Sequence, residues 1–266
     1  MSTVLVLGSG DVGSAVAHAL YRAGHRVVLH DLPKPAHSRR GMAFVDALYD
    51  GKAELAGVLA KRANDLSALA SMIECGRAVP AIDEAFRRVL DAVRAQILVD
   101  ARMRKHRQPE PQRGLAPMTI GLGPNFVAGE TTDVAVETAW GDDLGRVVWR
   151  GRTRNLEGEP QEINGHARDR YVYAPHAGVF STNLCIGDFV DEDQHIANLA
   201  GASLRAPIAG VLRGLTHDGA YVSARAKVIE VDPRADLKLV TGLGTRPARI
   251  AEGVLEIIRD TPGQRR

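Results

Sequence analysis

The sequence predicts an α/β protein in which a doubly wound parallel sheet at the N-terminus is followed by a small all-β module. Two features carry this prediction. A glycine-rich turn joins an apolar, strand-like run to a helical pattern at the start of the chain, and an internal repeat lies in the last third. The 266 residues suffice to bury a sizeable core without metals or disulfides.

The first unit of the chain is a strand, a turn, a helix and a second strand. Residues 3–7 (TVLVL) are apolar and β-branched, which is typical of a strand buried on both faces. Residues 8–13 read GSGDVG, and small apolar residues then recur at helical spacing. A second strand-like run covers residues 26–30 and is followed by Asp31. This arrangement is the fingerprint of a Rossmann-like dinucleotide-binding domain, which we place at residues 1–116.

Each glycine of this fingerprint has its own physical role. Gly8 permits the tight turn, Gly10 lets the backbone approach a pyrophosphate, and Gly13 lets the helix pack closely on the strand. The free N–H groups at the helix N-terminus attract a phosphate, and Asp31 would accept the ribose hydroxyls of NAD while disfavouring NADP. Asp11 would repel an anion if it pointed inward. A turn kept only for close packing is the alternative.

Further runs of both kinds alternate along the chain. Strand-like runs cover residues 58–60, 79–82, 96–99 and 118–122, and helix-like runs cover residues 42–49, 66–74 and 84–94. Asp31, Asp83 and Asp100 each follow a strand-like run. Carboxyl ends of strands face the ligand crevice of a doubly wound sheet, so these acids suit a binding site there. Helix N-capping explains them equally well.

Basic residues near these strand ends are further candidates for ligand binding and catalysis. Arg39 and Arg40 suit a phosphate or a pterin-phosphate group, and a solvated basic loop is the alternative. Asp100 and Lys105 are the candidate catalytic residues, because Lys105 follows Asp100 closely and can act as a general acid or base. An ordinary surface lysine is the alternative for Lys105.

A second glycine-rich turn follows the strand-like run at 118–122. Gly121 and Gly123 allow the backbone to approach a ligand closely. We assign both to a connecting α/β segment at residues 117–168.

The last third contains the repeat. Residues 174–179 (APHAGV) recur 32 residues later at 206–211 (APIAGV). The pattern resembles the biotinyl/lipoyl-type barrel-sandwich hybrid, which we place at residues 169–233, with a tail and a short helix at 234–266. No lysine occurs between Gly178 and Ala226, so no amine is available to carry covalent biotin or lipoate.

Composition and residue spacing exclude several classes of protein and site. A net charge of +2 does not suit an electrostatic nucleic-acid binder, and no apolar run approaches membrane-spanning length. Two cysteines exclude a disulfide framework and fit a cytoplasmic protein, with Cys185 expected as a buried apolar filler. His176, His195 and His217 lack a fixed ligand spacing, so we predict no metal site.

Several motifs together resemble one family. GSGDVGSAVAHAL, IGLGPNFVAG, VAVETAWGDDLGRVVWRG, APHAGVF, APIAGVLRGL and IAEGVLEII resemble the YqeB-type proteins, called selenium-dependent molybdenum hydroxylase system proteins. The resemblance covers about residues 3–258. It implies a role in maturing molybdenum hydroxylases related to xanthine dehydrogenase, alongside XdhC-type accessory factors. The family pattern falls on the residues Gly8, Gly10, Asp11, Asp31, Arg39, Arg40, Asp100, Lys105, Gly121, Gly123, Glu137 and Thr138.

Three functions are consistent with these observations. The first is an accessory protein that binds a nucleotide or the molybdenum-pterin cofactor at the Rossmann crevice and assists its modification or insertion into a molybdenum hydroxylase apo-enzyme. The second is an NAD-dependent oxidoreductase, which the absence of a Tyr-x-x-x-Lys pair opposes. The third is a non-catalytic scaffold for hydroxylase assembly. These observations do not decide whether the protein forms a homo-oligomer or whether it catalyses a reaction.

Overall fold

The computed structural model describes residues 1–104, 107–155 and 160–260. The helices are α1 Asp11–Arg22, α2 Ala47–Asp50, α3 Leu66–Cys75, α4 Phe86–Val93 and α5 Thr245–Asp260, with 3-10 turns at Arg40–Met42 and Leu237–Leu239. The strands are β1 Thr3–Leu7, β2 Arg26–His30, β3 Lys52–Leu55, β4 Val58–Arg62, β5 Val79–Ile82, β6 Ile97–Asp100, β7 Met118–Leu122, β8 Val127–Ala128, β9 Val134–Val136, β10 Val147–Val148, β11 Gly151–Arg152, β12 Tyr171–Tyr173, β13 Gly178–Ser181, β14 Phe189–Val190, β15 His195–Leu199, β16 Ala202–Arg205, β17 Gly210–Leu215, β18 Tyr221–Val222 and β19 Lys227–Asp232.

The largest sheet has nine strands in the order β10-β9-β7-β6-β1-β2-β5-β4-β3. Its centre is parallel, but β3 pairs antiparallel with β4, and β10 pairs antiparallel with β9. The predicted doubly wound parallel sheet is therefore wrong, because the sheet is mixed. The physical reason at one edge is a two-residue turn. Ala56 and Gly57 both have positive φ, which is the geometry that closes an antiparallel hairpin.

Helices cover both faces of this sheet. Alternate residues of β1 point to opposite faces, so Val4 and Val6 pack with α1 and α5, and Leu5 and Leu7 pack with α3 and α4. The contact of α1 with β1 is close at Gly13, where a Cβ atom would lie 1.9 Å from the carbonyl oxygen of Gly8. We call this sheet with its five helices the α/β unit.

Residues 171–232 form two four-stranded antiparallel sheets, ordered β12-β19-β17-β14 and β16-β15-β13-β18. We call them the β-rich segment. The 32-residue repeat is visible in its strands, since β13, β14 and β15 begin 32 residues before β17, β18 and β19. The prediction of a Rossmann-like domain followed by a barrel-sandwich hybrid is nevertheless wrong. The structure has one large mixed sheet and several separate antiparallel sheets, including a two-stranded β8–β11 pair.

The loop after β2 joins the α/β unit to the β-rich segment. The backbone N–H of Leu215 donates to the carbonyl oxygen of Ser38 at 2.7 Å, and Nε of Arg40 donates to the carbonyl oxygen of Leu215 at 2.8 Å. These contacts place the β-rich segment beside the loop that follows Asp31. Within the described ranges, no helix is long and apolar enough to cross a membrane.

Candidate functional site

The first glycine-rich turn lies at the carboxyl end of β1, beside the carboxyl end of β6. A Cβ atom at Gly8 would lie 3.1 Å from the backbone of Ala101, and Gly8 has a positive φ of 101°. A Cβ atom at Gly10 would lie 3.0 Å from the ring of His37. The protein's own imidazole thus occupies the close approach that a pyrophosphate would make in the fingerprint.

Asp31 holds this turn in place. Its Oδ2 accepts hydrogen bonds from the backbone N–H of Ser9 at 2.7 Å, from Oγ of Ser9 at 2.7 Å, and from Nε2 of His37 at 3.1 Å. Its Oδ1 accepts from the backbone N–H of Leu32 at 2.8 Å. Burial opposes ionisation, but the hydrogen bonds from His37 and Ser9 prevail and lower the pKa of Asp31 to about 2. A ribose would have to displace these partners.

A cluster of charged side chains lies between the first turn of α1 and the β-rich segment. Glu230, fully buried on β19, is its centre. Its carboxylate accepts hydrogen bonds from Nε of Arg39 at 2.8 Å, from Nη1 of Arg170 at 2.6 Å and from Nζ of Lys227 at 2.8 Å. Arg39 also reaches Asp11, at 3.2 Å, on the first turn of α1. Arg39 therefore ties the α/β unit to the β-rich segment.

Cations outnumber anions in this group. Arg213 lies 3.4 Å from Asp232 and 3.9 Å from Glu230, and Arg234 binds Asp232 at 2.6 Å. We call this the charge cluster, with the cations Arg39, Arg170, Arg213, Lys227 and Arg234 and the anions Asp11, Glu230 and Asp232. In the part of the chain that the structure describes, the buried Nε atoms of Arg170 and Arg213 have no hydrogen-bond partner.

Burial is the first cause of the pKa shifts in the cluster, and charges of both signs modify them. Glu230 and Asp11 raise the pKa of Arg39 despite burial, so not every cation here is destabilised. Burial opposes ionisation of Glu230, but Lys227 and Arg39 lower its pKa well below the ordinary range. Burial and the nearby Arg39 guanidinium lower the pKa of Lys227 to about 8. Burial followed by repulsion from Arg39 also lowers the pKa of Arg213, and burial lowers that of Arg246 on α5. An anion bound among these groups would relieve the repulsion.

A tyrosine borders the cluster. The Nζ atom of Lys227 and the guanidinium of Arg170 each lie 4.4 Å from the centre of the Tyr171 ring. The Tyr171 hydroxyl accepts a hydrogen bond from Nη2 of Arg170 at 2.6 Å. The aromatic face therefore orients the two cations that contact Glu230 from the β-rich segment.

The other predicted site residues lie in separate places. Arg40 binds Asp46 at 3.0 Å as well as the carbonyl of Leu215, so it joins two parts of the chain. A Cβ atom at Gly121 would lie 2.2 Å from the Phe126 ring, and Gly123 has a positive φ of 97°.

Asp100 acts as a clamp for the loop that follows β6. Almost fully buried, it accepts hydrogen bonds from Nε of Arg102 at 2.9 Å, from Arg104 at 3.1 Å and from Gln112. The hydrogen bonds from Arg102 lower its pKa against the effect of burial. Lys105, its predicted catalytic partner, lies outside the described residues.

Sequence reasoning missed most of the charge cluster. Lys227 and Glu230 lie three residues apart on β19, whose pairing with β12 and β17 is irregular, and Arg39, Arg170 and Arg213 reach Glu230 from other parts of the chain. One signal was available, since β19 reads KVIEVD and buries Glu230 and Asp232 among valines and isoleucine. Paired acids in a buried strand indicate cations contributed by other elements. The expectation that Cys185 is buried is wrong, since it is exposed.

An open groove of about 630 Å³ lies at the amino ends of the strands of the large sheet, opposite the glycine-rich turns, and is lined by Arg87, Leu90, Arg94, Gln96 and Ala116 among others. It borders the amino ends of β6 and β7, away from the glycine-rich turns. We place the candidate site at the charge cluster because the buried ionisable groups converge there.

No protein-family model matches the chain. It is 34% identical over 255 residues to the uncharacterized protein YqeB of Escherichia coli (strain K12), an alignment that covers 96% of this chain and 47% of YqeB. The resemblance to YqeB is thereby confirmed as sequence similarity, and the chain spans about half the length of this relative.

Solved structures that match are remote. The ectoine utilization protein EutE (DoeB) from Ruegeria pomeroyi has a TM-score of 0.27 at 13% identity, covering 87% of this chain and 85% of that chain. An aspartoacylase family protein from Mesorhizobium loti has a TM-score of 0.26 at 12% identity, with 87% and 85% covered.

Proposed function

We propose that this protein binds a small phosphate-bearing molecule at the charge cluster and serves in the maturation of molybdenum hydroxylases. The bound molecule is then a nucleotide or the molybdenum-pterin cofactor. The observation that supports this proposal is the surplus of cations, most of them partly buried, in the charge cluster, which Arg39 links to the first turn of α1. The role in maturation rests on the resemblance of the motifs to YqeB-type proteins.

The electrostatic argument for an anionic ligand is direct. Repulsion among partly buried cations costs free energy that one phosphate, with its negative charge and three acceptor oxygens, would offset. The positive end of the α1 dipole adds a weaker attraction, since the backbone N–H of Val12 already donates to the Asp11 carboxylate at 3.0 Å. Lys227 and Arg39 are each about one quarter exposed, so a ligand has access to them from solvent.

The geometry favours phosphate binding at the charge cluster over NAD binding at the first glycine-rich turn. Asp31, the expected ribose acceptor, uses both of its carboxylate oxygens within the protein. His37 covers Gly10, where the pyrophosphate would approach. We therefore propose that phosphate is recognised by the side-chain cations of the charge cluster, with Asp31 holding the turn.

Calorimetric titration tests the proposal. The ligands are inorganic pyrophosphate, ATP, NAD and molybdenum-pterin cofactor released from a purified hydroxylase. We expect saturable binding of at least one of these phosphate compounds, weakened tenfold or more in Lys227→Met. Arg88→Met is the matched control, because Arg88 is 64% exposed on α4 and pairs only with Glu84 among its described ion pairs. Absence of binding by every compound, or equal binding in both variants, would overturn the proposal.

The maturation role needs a separate measurement. Purified protein is mixed with a molybdenum hydroxylase apo-enzyme and the cofactor, and the recovered hydroxylase activity is followed. We expect faster recovery with the wild-type protein than with Lys227→Met. Equal recovery with and without the protein would contradict the role while leaving phosphate binding to stand on its own titration.

A further inference from the structure

We propose a divalent transition-metal site, of the kind that takes zinc, formed by Asp46, Asp50 and His217. It lies outside the charge cluster and is independent of the proposed function. One ligand atom from each of the three residues lies within 4.8 Å of the other two. The sequence separates the histidine from Asp50 by 167 positions, so only the fold brings them together.

The two aspartates share one face of a helical turn. Asp46 is the N-cap of α2 and Asp50 is its last residue, so their side chains project in the same direction four residues apart. His217 reaches them from the loop between β17 and β18. An ion held by all three would join α2 to the β-rich segment.

A hydrogen bond on Nδ1 of His217 leaves Nε2 free to bind a metal ion on the side of Asp50. Its Nδ1 lies 2.7 Å from the carbonyl oxygen of Asp218, a contact in which the ring nitrogen must be the donor. In the neutral ring this leaves the lone pair on Nε2, on the side of Asp50. A backbone acceptor that fixes the tautomer in this way is the usual second partner of a metal-binding histidine. The Tyr49 ring stacks on the imidazole at 3.9 Å between centres and 11° between planes, which fixes its orientation.

The separation between His217 and Asp50 suits two ligands of one ion. Nε2 and Oδ1 are 3.4 Å apart, which is long for a charge-assisted hydrogen bond of about 2.7–2.9 Å. Two atoms bound to zinc at about 2.0–2.1 Å in tetrahedral geometry are separated by about 3.3–3.4 Å. The pair therefore has the spacing expected of two ligands of one metal ion.

Asp46 supplies an unsatisfied oxygen. Its Oδ2 binds Arg40 at 3.0 Å, whereas its Oδ1 is buried and has no hydrogen-bond partner in the described part of the chain. A buried carboxylate oxygen without a partner is costly, and a cation would satisfy it.

The chemistry of the three ligands selects the ion class. One imidazole nitrogen and two carboxylate oxygens suit zinc and its first-row neighbours, whereas calcium and magnesium prefer oxygen ligands alone. Asp50 is 58% exposed, so water can complete the coordination shell.

Titration of the EDTA-treated protein with zinc chloride and with cobalt chloride tests the site. We expect one zinc ion per chain, a visible cobalt absorption band, and zinc affinity at least tenfold weaker in Asp50→Asn and in His217→Gln. His195→Gln is the control, because His195 is exposed and contacts Asn198. Asp50→Asn alters an exposed side chain, and its circular dichroism spectrum checks that it folds. Failure to bind zinc at millimolar concentration, preference for magnesium over zinc, or equal zinc binding in all variants would overturn the proposal.

Discussion

Replacement of Glu230 by glutamine tests how the charge cluster joins the α/β unit to the β-rich segment. The carboxylate accepts hydrogen bonds from Arg39, Arg170 and Lys227, and it is fully buried. Glutamine has nearly the same shape but no charge, so three cations lose their shared counter-ion. Removing one member of a buried ion pair costs about 3–5 kcal/mol.

The expected loss lies at the lower end of that range. The side chains of Arg39 and Lys227 are 26% and 28% exposed, so water screens part of the repulsion that Glu230→Gln creates. We therefore expect a loss of about 3 kcal/mol in the free energy of unfolding. The unfolding entropy of a chain of this length is about 0.5 kcal/mol/K near its midpoint, so the melting temperature falls by about 5–6 °C.

Calorimetric and circular-dichroism melting measure this shift. The matched control is Glu84→Gln, because Glu84 is partly exposed and its bond to Arg88 lies on the surface, where ion pairs contribute less than about 1 kcal/mol. Adding Lys227→Met to Glu230→Gln removes one unpaired cation and should restore part of the stability. A Glu230→Gln melting temperature equal to that of Glu84→Gln would show that Glu230 stabilises the protein no more than a surface carboxylate does.

Three other perturbations test separate contacts. Asp31 raises the pKa of His37 despite burial, so protonated His37 stabilises the folded protein. The stability lost in His37→Gln should therefore be greatest below the ordinary histidine pKa of 6.5 and should vanish as pH rises through the folded pKa. Urea midpoints whose difference between wild type and His37→Gln does not change with pH would contradict this. Gly13→Ala should lower the free energy of unfolding by about 2–3 kcal/mol, because its Cβ would strike the Gly8 carbonyl oxygen. Gly24→Ala, in open space at positive φ, should lower it by about 1–2 kcal/mol. Urea unfolding compares the two variants, and an equal or smaller loss for Gly13→Ala would count against the close contact. Asp100→Asn should release the loop held through Arg102 and Arg104 and speed tryptic cleavage there, and an unchanged cleavage rate would show that Asp100 is no clamp.

Local sequence patterns predicted the first elements well. The run at residues 3–7, the turn at 8–13 and the run at 26–30 correspond to β1, the start of α1, and β2. Each is specified by nearby residues, through β-branched side chains in the strands and glycines in the turn. The close packing at Gly13, which the fingerprint predicts, is present in the structure.

Features that depend on distant pairing escaped prediction. The helix-like run at residues 42–49 forms only a 3-10 turn and the short α2, because the loop packs against β17. The polar β3 gave no strand signal, yet it pairs with β4 through a two-residue turn and makes the large sheet mixed. Strand direction and sheet membership are set by such pairing, which periodicity alone does not report.

Local sequence patterns did not predict the charge cluster, for a similar reason. Arg39 was predicted as a phosphate contact from its neighbours in sequence, but its carboxylate partner Glu230 is 191 residues away. Likewise His217 meets Asp50 only through the fold. Residue types identify groups that need partners, and tertiary structure decides which partners they find.

A crystal structure of the protein soaked with inorganic pyrophosphate would show whether the charge cluster binds a phosphate anion. We predict electron density for the anion between the first turn of α1 and Nζ of Lys227, with Arg39 or Arg246 in contact. A well-ordered cluster that stays free of pyrophosphate, at a concentration that saturates a known phosphate-binding protein under the same conditions, would contradict the claim.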